Sequence, residues 1–196
     1  MNIVLLDLKK EMCKSWYKYF NGENNVTIVN GELENYNIDD IKCLVSPANS
    51  YGLMDGGYDN ALTSLFGESL QKVVQDYIIN NYCGEQLVGS SFIVTIPGTN
   101  KKLIHTPTMR EPSQIFDYNV VYTAMRSTLI CAQKNNVESI IIPAFGRATG
   151  QVPCDVVAKE MYKAYVQIFK MSLKVRSWKD VSKRNEIINE YVSKKR

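Results

Sequence analysis

Short apolar runs alternate along this chain with longer stretches in which apolar positions recur every three or four residues. The runs predict strands near residues 2–7, 26–30, 41–46, 87–95, 102–106 and 138–143. The longer stretches predict helices near 10–20, 59–82, 118–135, 155–169 and 177–193. Strands alternating with helices imply an α/β protein: a three-layer α/β/α sandwich around a mixed central sheet. The pattern does not fix the strand order.

Two strands lead into glycine-bearing loops. The strand ending at Val45 meets Ser46-Pro47-Ala48-Asn49-Ser50-Tyr51-Gly52-Leu53-Met54-Asp55-Gly56-Gly57-Tyr58-Asp59, ahead of an amphipathic helix with apolar Leu62, Leu65, Phe66 and Leu70. The strand ending at Ile142 and Pro143 meets Ala144-Phe145-Gly146-Arg147-Ala148-Thr149-Gly150-Gln151-Val152-Pro153, ahead of a helix carrying Val156, Val157, Met161, Tyr165 and Ile168. In open α/β sheets such loops lie at the carboxyl ends of strands and can converge on one crevice. Glycines let backbone N–H groups approach an anion, and a helix dipole favours negative charge at its N-terminus. Plain turns are the alternative reading of each loop. Neither a Walker A motif nor GxGxxG is present, so the usual nucleotide signatures do not explain them.

With 196 residues and 45% hydrophobic content, the chain is long enough for one domain with a real core. No segment has the continuous apolar length of a membrane span, and residues 1–8 read as a strand rather than a secretory signal. Cys13, Cys43, Cys83, Cys131 and Cys154 lack CxxC spacing and read as reduced core thiols of a cytoplasmic protein. Cys154, near a helix start, has a second reading as a nucleophile of lowered pKa. His105, the single histidine, lies in an apolar strand and reads as a core histidine rather than an acid or base. A lone histidine and dispersed cysteines argue against zinc, and no metal or other cofactor is expected. The net charge of +3 falls mostly in the tail. We read residues 1–172 as the α/β domain and 173–196 as a basic helix docked on it. That tail offers only Trp178 and Tyr191 as stacking platforms, so nucleic acid is not an expected partner. A monomer acting on a small molecule is the expectation.

The two loops carry a resemblance. Over about residues 24–170 the sequence resembles the macro domains that bind ADP-ribose. The first loop is similar to that family's Asn-containing loop with its Gly-Gly-x-Asp ending, and the second to its diphosphate-binding glycine loop. Leu103-Ile104-His105-Thr106-Pro107-Thr108 resembles its central strand ending in Ile-His. The wording Ser-Pro-Ala-Asn-Ser-Tyr-Gly, with residues 112–117 and the Ile-Ile-Pro strand, is closest to a fungal-type branch proposed to be ADP-ribose-1''-phosphate phosphatases.

The resemblance implies roles for particular residues. Asn49 would hydrogen-bond the distal ribose and orient a water, and Asp59 would activate water or that ribose. The alternative for Asp59 is a helix-start carboxylate. Asp55 stands where the family commonly has glycine and would orient the loop or serve as the acid. Gly56, Gly57, Gly146 and Gly150 would offer N–H groups to the diphosphate, with Ala48, Ala148 and Thr149 lining the same cleft. Arg147 departs from the family's small or hydroxyl residue, and either pairs with a terminal phosphate or points to solvent. Glu32 and Leu33 lie where Gly-Asp-Ile is typical, and Glu32 would accept the adenine amino proton. Tyr51 and Phe145 either line the cleft or pack in the core. The implied activity is a metal-independent hydrolysis of ADP-ribose-1''-phosphate to ADP-ribose and phosphate. The alternatives are a hydrolase releasing ADP-ribose from protein, nucleic acid or an acetyl ester, and a non-catalytic ADP-ribose-binding module.

Overall fold

The computed structural model describes residues 1–172 and 174–195; the ends of the expected tail segment, 173 and 196, lie outside the described residues. In chain order the elements are β1 (Asn2–Asp7), α1 (Lys10–Phe20), β2 (Val26–Asn30), a single 3-10 turn (Leu33–Asn35), β3 (Cys43–Ser46), α2 (Gly57–Phe66), α3 (Ser69–Tyr82), β4 (Phe92–Thr95), β5 (Lys102–His105), α4 (Asn119–Lys134), β6 (Ser139–Ile142), α5 (Cys154–Phe169) and α6 (Trp178–Ser193). The strands form one sheet in the order β2-β1-β6-β3-β5-β4. All neighbours pair in parallel except β4, which runs antiparallel to β5 at the edge.

Alternation within the strands builds the layers. In β1, Ile3 and Leu5 face one core while Val4 and Leu6 face the other; in β6, Ile140 and Ile142 oppose Ile141 in the same way. Strands buried on both faces are the mark of a parallel sheet covered by helices. One face packs on α1, α4 and α5, with Ile188 and Val192 of α6 buried in the same core; the other packs on α2, α3 and Leu33.

At the amino-terminal edge of the sheet, just ahead of β2, Glu23 is a buried charge with four partners. It accepts hydrogen bonds from Tyr162 and Tyr165, each at 3.1 Å, and pairs with Lys170 at 2.7 Å and Lys195 at 3.9 Å. Lys195 also donates to the Asn21 carbonyl at 2.6 Å. Burial raises the Glu23 pKa, but the Lys170 and tyrosine contacts outweigh it and hold the carboxyl below its ordinary value.

The structure redraws several sequence boundaries. The stretch 59–82 is two helices, because Gly67 caps α2 at φ +83°, a conformation L side chains rarely adopt. Leu65, expected on the apolar face, is exposed. The strand expected over 87–95 begins at Phe92, since Gln86 and Ser90 close a turn ahead of it and leave Leu87 and Val88 in solvent. The strand ending in Ile-His is not central but second from the edge. All five cysteines are free, and Cys83 is exposed at the left-handed C-cap of α3 rather than in the core.

Trp16 is fully buried between α1 and α5, with its indole N–H directed at the Met161 sulfur at 3.4 Å. Trp16→Ala should cost about 3–5 kcal/mol, seen as a lower urea midpoint at unchanged slope.

Candidate functional site

Because β1, β2, β3, β5 and β6 are parallel, Asp7, Asn30, Ser46, His105 and Ile142 all end at one edge of the sheet. A cleft of about 500 Å³ opens there. Its walls come from the end of β1, the Gly31–Glu34 segment, the 47–59 loop with the start of α2, and the 143–150 loop.

The 143–150 loop is shaped for an anion. The backbone N–H groups of Gly146, Arg147, Ala148, Thr149 and Gly150 donate to no acceptor among the described residues. A run of unpaired amides on one loop forms a concave donor surface that suits phosphate. Gly150 is required there: a Cβ would lie 2.5 Å from the Gly146 carbonyl oxygen and from Ile115 Cδ1. Opposite it, α2 begins at Gly57 with no side-chain cap, and the N–H groups of Gly57, Tyr58 and Asp59, which line the cleft, donate to no acceptor among the described residues.

Asp59 sits on the first turn of α2 and forms part of the cleft floor, 8% exposed. Its Oδ1 accepts from the Ser46 hydroxyl at 2.7 Å. Burial raises its pKa, the Ser46 hydrogen bond opposes that rise, and the nearby Asp55 charge adds to it; the carboxyl is pushed up to about 7 from an ordinary 3.8. A carboxyl in this range can take up or release a proton near neutrality. Asp55 lies on the exposed loop at the cleft margin.

Asn49 lines the cleft, but its amide shapes the loop. Its Oδ1 accepts from the Tyr51 and Leu53 amides at 3.0 and 3.3 Å, and its Nδ2 donates to the Leu53 carbonyl at 2.8 Å. One N–H is left over for a ligand. Glu32 and Leu33 line the far end, with Glu32 accepting from Asn35 at 3.0 Å. Ala48, Gly56, Gly57, Gly146, Ala148, Thr149 and Gly150 all line the cleft.

Arg147 neither points to solvent nor waits unpaired. Its Nε donates to Asp7 Oδ2 at 3.1 Å, with the two side chains 17% and 9% exposed. The other Asp7 oxygen accepts from the Lys9 amide at 2.7 Å. The guanidinium is thus held by one edge, and its Nη atoms carry no protein hydrogen bond among the described residues. Among those residues Arg147 is the one cation lining the cleft, against Asp7, Glu32, Glu34, Asp55 and Asp59.

Two expected lining residues lie elsewhere. Phe145, three residues past the end of β6, is fully buried in the core shared with α4 and α5. Tyr51 is directed outward to Glu85 at 3.2 Å, with Arg110 over its ring. His105 is a core histidine: burial pushes its pKa down to about 3, so the ring is neutral, with Nδ1 on Gln86 at 2.6 Å. Burial pushes the Cys154 thiol up, which removes the nucleophile reading. Ser46 and Asp7 escaped sequence reasoning. Both end parallel strands, and that position was the available signal.

Among the described residues no group of three or more His, Cys, Asp or Glu is arranged to hold a metal ion, and no helix is long and apolar enough to cross a membrane. The family model described as Macro domain matches residues 45–161. An uncharacterized protein of Aquifex aeolicus (strain VF5) is 33% identical over 139 residues, covering 70% of this chain and 78% of that protein. The Oceanobacillus iheyensis macrodomain with ADP superposes with a TM-score of 0.62 at 20% identity, covering 84% of this chain and 90% of that one. Thermosipho africanus DarTG in complex with ADP-ribose superposes with a TM-score of 0.58 at 15% identity, covering 85% of this chain and 50% of that one.

The raised Asp59 pKa has a signed consequence for stability. The native state keeps this proton to higher pH than the unfolded chain does, so the associated stability is present in full below about pH 4 and is lost as pH rises through 7. Asp59→Asn should remove that slope. Urea midpoints should show the variant gaining on the parent protein between pH 5 and pH 8.

Proposed function

This chain belongs to the macro domain family, and from that premise we propose that it binds ADP-ribose in the cleft and hydrolyses a derivative substituted on the distal ribose. The observation that carries this reading is the coexistence, in one cleft, of a row of unpaired loop amides and a buried carboxyl poised near neutrality. The O. iheyensis macrodomain bound to ADP and the T. africanus protein bound to ADP-ribose share the fold. In this reading the diphosphate rests on the 146–150 amides, the adenine lies toward Glu32 and Leu33, and the distal ribose lies toward Asn49, Asp55 and Asp59.

Catalysis follows from the carboxyl. Asp59 as carboxylate takes a proton from a water whose oxygen bonds to the distal anomeric carbon. The bond from that carbon to the substituent breaks with its electron pair, and the proton held on Asp59 returns to the leaving atom. Contacts to the adenosine and diphosphate hold the reacting end in register, which supplies acceleration without a metal.

The charge pattern bears on the leaving group. A terminal phosphate placed beside Asp55 and Asp59 brings like charges together in a partly desolvated site, whereas an acyl, peptide or nucleobase substituent does not. We therefore favour release of ADP-ribose from a conjugate. The phosphomonoester reading has one observation on its side: Arg147, pre-oriented by Asp7 with its Nη edge free, suits a phosphate.

Purified protein would be assayed in EDTA on an ADP-ribosylated peptide and on ADP-ribose-1''-phosphate, with calorimetry of ADP-ribose. We expect peptide turnover that rises with pH through about 7, survives Arg147→Ala and falls at least ~100-fold in Asp59→Ala. Phosphate release that collapses in Arg147→Ala would select the phosphatase instead. ADP-ribose binding with no turnover on either substrate would leave a binding module. In the same calorimetry, Gly150→Val should abolish binding of ADP-ribose, since its side chain would displace the 146–150 loop.

A further inference from the structure

We infer that Ser46 is a positioning residue for Asp59: its hydroxyl fixes one carboxylate oxygen in the cleft floor and thereby turns the other toward the bound ligand. The inference rests on the reading of Asp59 as the acid–base group. Ser46 is the last residue of β3, and alternation with Leu44 places it on the face covered by α2. Both side chains are buried, and the 2.7 Å separation is that of a well-formed O–H···O bond. Asp59 Oδ2 carries no hydrogen bond among the described residues, although the residue lines the cleft.

No neighbour substitutes for that hydroxyl. Asp55 on the loop, Tyr58 on α2 and Glu34 on the 3-10 turn surround this corner, and none of them stabilises a negative charge on Asp59. His105, the register partner of Ser46 on β5, is neutral. Arg147, the cleft cation, is committed to Asp7. Among the described residues the Ser46 hydroxyl is the one side chain that hydrogen-bonds the carboxylate. A hydroxyl donates to the ionised acid and accepts from the protonated one, so Ser46 stays paired in both states of a proton-transfer cycle. An alanine does neither.

The test uses Ser46→Ala, Ser46→Cys as a second variant lacking a strong donor, and Ser46→Thr as the conservative replacement, all in the full chain. Three quantities would be read: the pH dependence of kcat on an ADP-ribosylated peptide, the ¹³C carboxyl titration of Asp59 assigned with Asp59→Asn, and the Kd for ADP-ribose. Loss of the hydroxyl should move the acidic limb and the carboxyl titration upward by about one pH unit, an about tenfold loss of kcat below the limb, with Thr restoring both. The Kd should stay within about twofold, because the hydroxyl touches the carboxyl and not the ligand. An unmoved limb and titration, or a kcat lowered equally at every pH, would overturn the assignment. If the parent protein hydrolyses no substrate, the function reading fails, and the carboxyl titration by itself then decides whether Ser46 controls Asp59.

Discussion

Five of the six strands run parallel, four of them buried on both faces, and the geometry of the site follows from that constraint. Parallel strands need crossover connections, so the chain returns to the same edge each time, and the carboxyl-terminal loops gather at one end. The loops after β3 and β6 then stand beside each other because those strands are neighbours. Residues more than eighty positions apart in the sequence, such as Asp59 and Gly146, share one cleft for this reason. Had either strand run antiparallel, its loop would have emerged at the opposite edge.

Within the cleft the protein separates two electrostatic tasks. The 146–150 loop attracts anions with backbone dipoles, which carry no net charge and do not titrate. The 55–59 corner carries Asp59, whose proton affinity is raised by desolvation and the nearby Asp55 charge and lowered by the Ser46 hydroxyl. Arg147 belongs to neither set, since its Nε is paired with Asp7. A ligand that is anionic in its middle and neutral at its reacting end matches this division.

Much of this was legible in the residues. The alternation of strands and helices announced a mixed sheet between helical layers, and glycines after apolar strands announced the loops that wall the cleft. Failures cluster where tertiary context overrides local pattern. Leu87 and Val88 look like strand residues, yet the turn closed by Gln86 and Ser90 leaves them in solvent. Phe145 sits in the cleft loop by sequence, but its side chain is buried in the core with α4 and α5. The pairing of Arg147 with Asp7 was not legible, because nothing local links it to a residue 140 positions earlier. Ser46 was invisible for the converse reason: a serine ending a strand is unremarkable until a buried carboxyl is placed against it.

The Glu23 cluster lies at the far side of this arrangement. It gathers the end of α5 and the end of α6 ahead of β2, and Asn25 donates to the Met1 carbonyl in the same region. Met1 and Lys195 are therefore near one another, at the edge of the sheet opposite the ligand loops. A surface or a second protein attached at this edge would leave the cleft facing outward.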